Sequence, residues 1–249
     1  MVKKALLLLF SLWLIEFARA EGLVVSLSSQ HVDINSTYTG AQLALFGVVL
    51  RDSRSATRAD HYDVLVTVKG PSGLVTVRRK ERFGPVWLNR DQQKFSDVPS
   101  VLSLIATRPI PEMAAPEFIE KFGMQIESHV LPKTVPASDG FGAALIRLKQ
   151  EANLFTIRES GVSFLAPDVF RATLDVPAIG PLGIYNVDVS LYAGGVRIAQ
   201  ADTFFTVGKA GFEQFIAREA RDHGVLYGMA TAAMALAFGW LASVIFRRD

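Results

Sequence analysis

The strongest constraint on this chain is an uncharged run near its C-terminal end. Val225 to Phe246 is 22 residues long, contains no charged residue and is followed by Arg247-Arg248-Asp249. As a helix that rises about 1.5 Å per residue it would span roughly 33 Å, enough to cross a hydrocarbon core of about 30 Å. The alternative is a buried core helix, but such helices rarely stay uncharged over this length. The run therefore predicts one membrane-spanning helix at 225–246.

The N-terminal end has the pattern of a secretory signal. Two lysines precede an apolar segment, Ala5 to Ile15, and Ala18-Arg19-Ala20 offers the small residues of a signal-peptidase site. The apolar segment has only 11 residues, which is too short to span a bilayer comfortably. We therefore predict a cleaved signal peptide at 1–20. An uncleaved signal anchor, which would make the protein two-pass, is the alternative.

Both alternatives give the same topology for the remainder of the chain. Residues 21–223 are exported, and the positive-inside bias keeps the two arginines of the tail, 247–249, in the cytoplasm. We therefore predict a single C-terminal anchor with an exported N-terminal domain and a cytoplasmic C-terminus.

Charge and cysteine content limit the chemistry of the exported segment. Residues 21–223 contain 21 basic and 22 acidic side chains, so their net charge is about −1 and the alkaline pI of about 8.9 reflects the targeting segments. A nucleic-acid partner is not expected, because such binding needs a basic surface. The chain has no cysteine, so disulfides and thiolate chemistry are excluded.

Short strands dominate the pattern of residues 21–209. Seven segments are rich in Val and Leu and are separated by turn-forming residues. They are 23–28, 41–50, 62–69, 74–80, 169–176, 182–192 and 196–207. Gly70-Pro71-Ser72-Gly73 is expected to join two of them as a compact turn, and Gly194-Gly195 to close a tight hairpin.

The segment 182–192 shows the clearest alternation. Its odd-numbered side chains are expected to face a core and its even-numbered ones to face water. The core set is Tyr185, Val187, Val189 and Leu191, and the water set is Asn186, Asp188, Ser190 and Tyr192.

A local motif indicates which architecture these strands form. Pro181 to Val187 resembles the tyrosine corner of immunoglobulin-like sandwiches, with Val187 where a disulfide cysteine would stand. The phenol of Tyr185 is then expected to hydrogen-bond a backbone group upstream while its ring packs in the core. Seven strands are also the number of a simple immunoglobulin-like domain. We predict a mainly β ectodomain, an immunoglobulin-like β-sandwich at 21–209.

The middle region, about 110–160, has helical patterns instead. Pro116 suits the first position of a helix and Gly123 its C-terminal cap. A second helix is expected from Asp139 as N-cap, with one apolar stripe. The stripe is Phe141, Leu145, Leu148 and Ala152. We predict a helical insertion within one sandwich; a linker between two smaller β-units is the alternative.

Two further helical patterns flank the membrane boundary. The first is a juxtamembrane amphipathic helix at 210–224, which would lie on the membrane surface or pack under the sandwich. Its apolar positions are Phe212, Phe215, Ile216 and Ala220, with His223 at the same spacing.

The second pattern is a stripe of small residues on one face of the membrane run. Such a face allows close approach of another helix, which predicts a docking face; a merely alanine-rich anchor is the alternative. The stripe consists of Gly228, Ala232, Ala235, Gly239 and Ala242.

No catalytic signature stands out, so we expect neither an enzyme nor a cofactor. The weak metal candidates are Asp60-His61-Tyr62-Asp63 and the pair Glu127 and His129, which would share a strand face. A basic run, Arg78-Arg79-Lys80 with Arg82, would form a solvated strand face or contact anionic lipid headgroups or an acidic partner.

Several segments together resemble an alphaproteobacterial family, the putative transmembrane protein family, over essentially the whole mature chain. These are Lys69-Gly70-Pro71, Arg79-Lys80, Gly84-Pro85-Val86-Trp87-Leu88-Asn89, Pro181 to Val189, Leu226-Tyr227-Gly228 and Gly239-Trp240-Leu241-Ala242. The resemblance supplies no catalytic residues. It implies a single-pass protein of the bacterial inner (plasma) membrane with a periplasmic domain. Family members are often encoded near sulfite-exporter-like permeases, which hints at a permease as partner.

Two functional hypotheses follow from these patterns. The first is a non-enzymatic accessory or interaction subunit of an inner-membrane transport complex, whose single helix docks on a membrane partner. The second is a periplasmic solute-binding or sensing module, in which the helical insertion forms one wall of a pocket.

Overall fold

The computed structural model describes residues 22–35, 37–50, 61–131, 140–209 and 220–245. The predicted signal peptide at 1–20, the tail at 247–249 and all but the last five residues of the predicted juxtamembrane helix lie outside these ranges. The described residues contain twelve strands and five helices. The predicted count of seven strands is therefore too low.

The strands form two sheets and a separate hairpin. The four-stranded sheet has the order β1-β3-β10-β9, and the six-stranded sheet has the order β2-β12-β11-β4-β7-β8. The hairpin consists of β5 and β6. The bounds are β1 Gly22–Leu27, β2 His31–Ile34, β3 Ala41–Leu50, β4 Asp63–Lys69, β5 Ser72–Phe83, β6 Val86–Pro99, β7 Leu102–Ala106, β8 Phe155–Arg158, β9 Val162–Ala166, β10 Val169–Val176, β11 Gly183–Ala193 and β12 Val196–Lys209.

The order of the central strands is that of an immunoglobulin-like sandwich, in which strands A, B, E and D face strands G, F and C. Here β1, β3, β10 and β9 lie in one sheet and β12, β11 and β4 lie adjacent in the other. The parallel pairing of β7 with β8 departs from that antiparallel scheme. The chain is mainly β, and its finer immunoglobulin-like classification stays a prediction.

The main core lies between the two sheets. Alternate side chains of β3, β10, β4 and β11 meet there, as the period of two in a strand requires. All four predicted core residues of β11 are almost completely buried, among them Tyr185 and Val187. The Tyr185 hydroxyl donates to the Pro181 carbonyl oxygen at 2.9 Å, and its ring stacks on Phe205. The local geometry predicted for the tyrosine corner is thus present.

A second core lies on the other face of the six-stranded sheet. Leu65, Leu104 and Tyr192 of that sheet are covered by helices and by the base of the hairpin. Ser190 and Tyr192 were predicted to face water, but both are buried. The Tyr192 ring meets Phe122 edge-on. The alternating pattern of β11 does not reveal this layer, because its even-numbered residues are mostly polar.

Four short helices between β7 and β8 form this layer. They are α1 Ile110–Met113, α2 Pro116–Lys121, α3 Glu127–Val130 and α4 Phe141–Glu151. Pro116 and Gly123 take the predicted places, since Gly123 has φ 65° and its amide donates to the Glu120 carbonyl oxygen. Helix α4 has Gly140 at its N-cap position, so the predicted N-cap, Asp139, is wrong by one residue and lies outside the described residues. The helix presents Gly142, Leu145 and Ile146 to the core. Two members of the predicted stripe, Leu148 and Ala152, are exposed, so the buried face is rotated from the prediction.

The predicted compact turn at Gly70-Pro71-Ser72-Gly73 does not pair the strands on either side of it. Strand β4 pairs with β7, whereas β5 leaves the sheet and pairs with β6. The amide of Gly70 donates to the Val101 carbonyl oxygen, and that of Ser100 donates to the Pro71 carbonyl oxygen. The segment is thus the point where the hairpin diverges from the sheet. The Gly194-Gly195 hairpin between β11 and β12 is confirmed, with φ values of 57° and 80°.

The C-terminal run is helix α5, Gly224–Ile245, 22 residues long. These bounds lie one residue N-terminal of the prediction at both ends, and Phe246 is outside the described residues.

Candidate membrane-interaction surfaces

Helix α5 is long and apolar enough to cross a membrane, with a mean hydropathy of 1.7 over its best window. No part of that window is buried against the described residues. A helix in a protein core would be buried, so this exposure among the described residues counts against the alternative of a core helix. The hydroxyl of Thr231 bonds to the Tyr227 and Gly228 carbonyl oxygens, which satisfies a polar group within the apolar segment.

The predicted stripe of small residues lies along α5, where steps of four and three keep its members on one face. A methyl group added at Gly228 or at Gly239 would meet no atom within 4 Å. The stripe is therefore uncovered by the described residues. Its role in docking a partner helix stays a prediction.

The hairpin of β5 and β6 forms a second exposed surface. Its base is held by the second core, where Val77 and Phe95 are buried. The Arg79 guanidinium lies over the Phe141 ring at 4.7 Å, which packs the start of α4 against β5. The pairing shifts between Arg79 and Lys80, leaving Arg90 as an extra residue on β6. Such a bulge bends and twists a ribbon.

Beyond this bulge the ribbon carries four large apolar side chains. We call residues 82–88, which close the hairpin, the hairpin tip. Phe83 is 68% exposed and Trp87 is 67% exposed, while Val86 and Leu88 are half-exposed. Gly84 has φ 60°, a conformation that glycine adopts without strain, and Pro85 follows it in the turn.

Basic side chains lie next to the apolar residues of the hairpin tip, four of them behind the tip and one, Arg82, within it. Residues 78–90 contain five basic side chains and one acidic side chain, Glu81. Arg90 lies 3.9 Å from that carboxylate, but the Arg90 side chain is 72% exposed, so the pair is weak. The predicted basic run therefore lies on the exposed hairpin.

The first predicted metal candidate is used structurally instead. Asp63 is buried and accepts two hydrogen bonds from Arg108, Nε to Oδ1 at 2.8 Å and Nη2 to Oδ2 at 2.7 Å. Thr107 also donates to its carboxylate. This hydrogen bonding raises the pKa of Arg108. His61 is exposed, and Asp60 lies outside the described residues.

The second metal candidate fails because its residues lie on a helix. Glu127 and His129 belong to α3, where residues two apart do not face each other. Their predicted strand face is wrong. Burial lowers the pKa of His129, which disfavours its charged form. Among the described residues, no group of three or more His, Asp or Glu side chains is arranged to hold a metal ion.

An open depression lies beside the start of β3 and the end of β10. Its lining includes Gly40, Gln42, Asp175 and Pro177. Asp175 already accepts a hydrogen bond from Gln42 and pairs with Arg158 at 2.9 Å. The helical segment α1–α4 contributes no residue to this depression. The sensing hypothesis expected these helices to form one wall of a pocket, but they do not line this depression.

Sequence reasoning found the basic residues of the hairpin but not its apolar tip. The tip was missed because most of β6 was not identified as a strand: Asn89 to Lys94 is polar on both faces and shows no alternation. The available signal was Gly84-Pro85 between two segments of strand-forming residues.

These features define a class: a protein with a β-sheet body, a helical layer and one candidate membrane helix among the described residues. The chain matches the sequence profile of the family described as Putative transmembrane protein (Alph_Pro_TM) over residues 22–248. The chain therefore belongs to that family, as the resemblance predicted. No curated protein and no solved structure shows significant similarity to it.

Proposed function

We propose that this protein is a non-enzymatic accessory subunit of an inner-membrane complex, with its β-sheet body in the periplasm and its C-terminus in the cytoplasm. In this proposal α5 anchors the body and docks, through its small-residue stripe, on a membrane protein such as a permease. The observation that carries the proposal is the stripe of small residues on the apolar helix α5, which the described residues leave uncovered.

The physical argument concerns what drives association inside a bilayer. Lipid tails are as apolar as leucine, so helices gain no hydrophobic energy by meeting there. Close packing at small residues is one of the remaining sources of attraction. Glycine and alanine at steps of four and three give α5 a continuous face on which a partner backbone can approach closely.

Site-specific photocrosslinking in native membranes tests the proposal. A photoreactive residue at Ala235 lies on the stripe, and the same residue at Ala237 lies on the opposite face because two helical steps turn about 200°. We expect a discrete adduct with another membrane protein from position 235 and none from position 237. Adducts with lipid or with a second copy alone, or equal adducts from both positions, contradict the proposal.

The alternative of a periplasmic solute-binding or sensing module has weaker support. The space between α1–α4 and the six-stranded sheet is filled by the second core. The open depression near Asp175 lies elsewhere, and its carboxylate already has two partners. Thermal-shift screening against anions, sulfur oxyanions and metal ions addresses this alternative, and a flat response across the panel counts against it.

A further inference from the structure

The distal part of the hairpin is a two-stranded ribbon, and no layer of described residues supports it. Beyond Arg79, every residue of β5 and every residue of β6 as far as Gln92 is exposed, apart from the partly exposed Glu81. An isolated hairpin is only marginally stable in water, because stable sheets need a third strand or a packed face. A ribbon of this kind is stabilised when its tip finds another medium or surface.

The hairpin tip has large apolar side chains on both of its faces. Directly paired residues share a face, so Phe83 and Val86 lie on one side together with Leu88. Trp87 pairs with Arg82 and lies on the other side. A flat protein partner would cover one face and leave the other in water. A medium that surrounds the ribbon covers both faces, and the boundary between the headgroups and the acyl chains of a lipid bilayer is such a medium.

The charge distribution matches an anionic lipid surface. The five basic and one acidic residues of 78–90 give this segment a net charge of +4. The rest of the exported segment 21–223 has 16 basic and 21 acidic residues, a net charge of −5. The positive charge is therefore concentrated within and directly behind the hairpin tip, where it can contact the headgroups around an inserted hairpin, and each such residue attracts anionic lipid.

The length of the ribbon fits this position. Four residue pairs, from Lys80–Asn89 to Phe83–Val86, lie beyond the bulge. They extend about 14 Å at the rise of an antiparallel strand. Interfacial segments bury their apolar side chains about 5–10 Å deep. The ribbon can therefore seat its tip among the headgroups while its base stays in the second core.

A bilayer is within reach of the hairpin through the chain itself. Residues 210–223 connect β12 to α5; because 220–222 are helical, this connection spans at most about 45 Å. This tether gives the membrane that contains α5 a high effective concentration at the body of the protein.

We propose that the hairpin tip inserts into the interfacial region of the same bilayer that contains α5, with Phe83, Val86, Trp87 and Leu88 among the headgroups and Lys80, Arg82 and Arg90 on anionic lipid. This gives the β-sheet body a second contact with the membrane. The inference needs no protein partner, so it stands independently of the accessory-subunit proposal.

Tryptophan fluorescence of the full chain in proteoliposomes tests this inference. The chain has three tryptophans, and Trp13→Phe with Trp240→Phe leaves Trp87 as the sole one. The vesicles contain phosphatidylcholine with or without phosphatidylglycerol, and brominated lipid serves as the quencher. We expect blue-shifted Trp87 emission, quenched most by bromine near the headgroups, only when phosphatidylglycerol is in the host bilayer.

A charge variant and a matched control sharpen the test. Lys80→Gln, Arg82→Gln and Arg90→Gln together should lower the ratio of inserted to free hairpin on the order of a hundredfold, given the attraction of each basic residue to an anionic surface. Lys94→Gln, Arg147→Gln and Arg171→Gln remove the same charge from exposed positions away from the tip and should leave quenching unchanged.

Three results overturn the inference. The first is Trp87 emission that no brominated lipid quenches. The second is quenching only by brominated lipid in separately added vesicles, which places the tip on another membrane. The third is an emission change that follows the protein-to-lipid ratio without quenching, which indicates a second copy of the chain as the occupant. These results come from the unaltered tip, so they do not depend on whether a variant folds.

Discussion

Replacing Arg108 by leucine tests whether the buried carboxylate of Asp63 depends on its ion pair. Asp63 is only 4% exposed and is held by both guanidinium hydrogen bonds and by Thr107. Removing one partner of a fully buried pair costs about 3–5 kcal/mol, because a charge remains buried without compensation. The Arg108 side chain is 45% exposed, so water replaces part of the lost interaction. We therefore expect a lower cost of about 2–3 kcal/mol.

Thermal unfolding of the full chain in detergent micelles, followed by circular dichroism, measures this cost. For a body of this size a loss of about 2–3 kcal/mol lowers Tm by roughly 5–10 °C. The double variant Asp63→Leu with Arg108→Leu removes both charges and should lie within about 1 kcal/mol of the wild type. Arg147→Leu is the matched control, since its pair with Glu151 is exposed and worth less than about 0.5 kcal/mol. Equal losses for Arg108→Leu and Arg147→Leu, or a double variant as unstable as the single one, would refute the reasoning.

Three further substitutions and one control test the packing and the turns. Gly47→Ala should lower the free energy of unfolding by about 1–3 kcal/mol, because the added Cβ would lie 2.0 Å from the buried Phe170 ring. Gly73→Ala is the control, since a Cβ there has open space and should cost little. Urea unfolding measures both variants. Tyr185→Phe should cost about 0.5–1.5 kcal/mol through the lost hydrogen bond to Pro181. Burial raises the pKa of Tyr185 to about 12, so the phenol ionises more readily in the unfolded chain than in the folded one. The wild type should therefore keep its stability below pH 10 and lose about 2–3 kcal/mol between pH 10 and pH 12 through this group, a decline that the Phe variant should lack. Gly123→Ala should cost about 1–2 kcal/mol because φ there is 65°, and an unchanged Tm would contradict that role.

The parts of the fold that sequence reasoning predicted best have one buried and one exposed face. Strands β3 and β10 have the predicted bounds because their apolar residues alternate against the main core. The signals at Pro116, Gly123 and Gly194-Gly195 were also sufficient, since each reflects a backbone conformation that few residues adopt.

The missed elements lack such a local signal. Strand β7 is buried at all five positions, because the main core covers one face and the helical layer covers the other. Its side chains therefore show no alternation. Strands β7 and β8 pair in parallel although the helices separate them in sequence, and this long-range contact has no trace in either segment. The second core could not be predicted, since it depends on which face of the sheet the helices cover.

The candidate surfaces also differ in whether the sequence could predict them. The stripe on α5 was readable because helical spacing alone places its members on one face. The hairpin tip was not, because exposure on both faces removes the periodicity from which a strand is recognised. The ion pair of Asp63 could not be predicted either, because its partner Arg108 is 45 positions away in the chain.

Cysteine accessibility tests the central claim, an exported β-sheet body on a C-terminal anchor, most directly. The chain contains no cysteine, so Ser163→Cys on the exposed side of β9 and Asp249→Cys in the tail each introduce a single thiol. We expect a membrane-impermeant maleimide to label Ser163→Cys in intact spheroplasts and Asp249→Cys only after lysis. Labelling of Asp249→Cys in intact spheroplasts, with Ser163→Cys protected until lysis, would contradict the account.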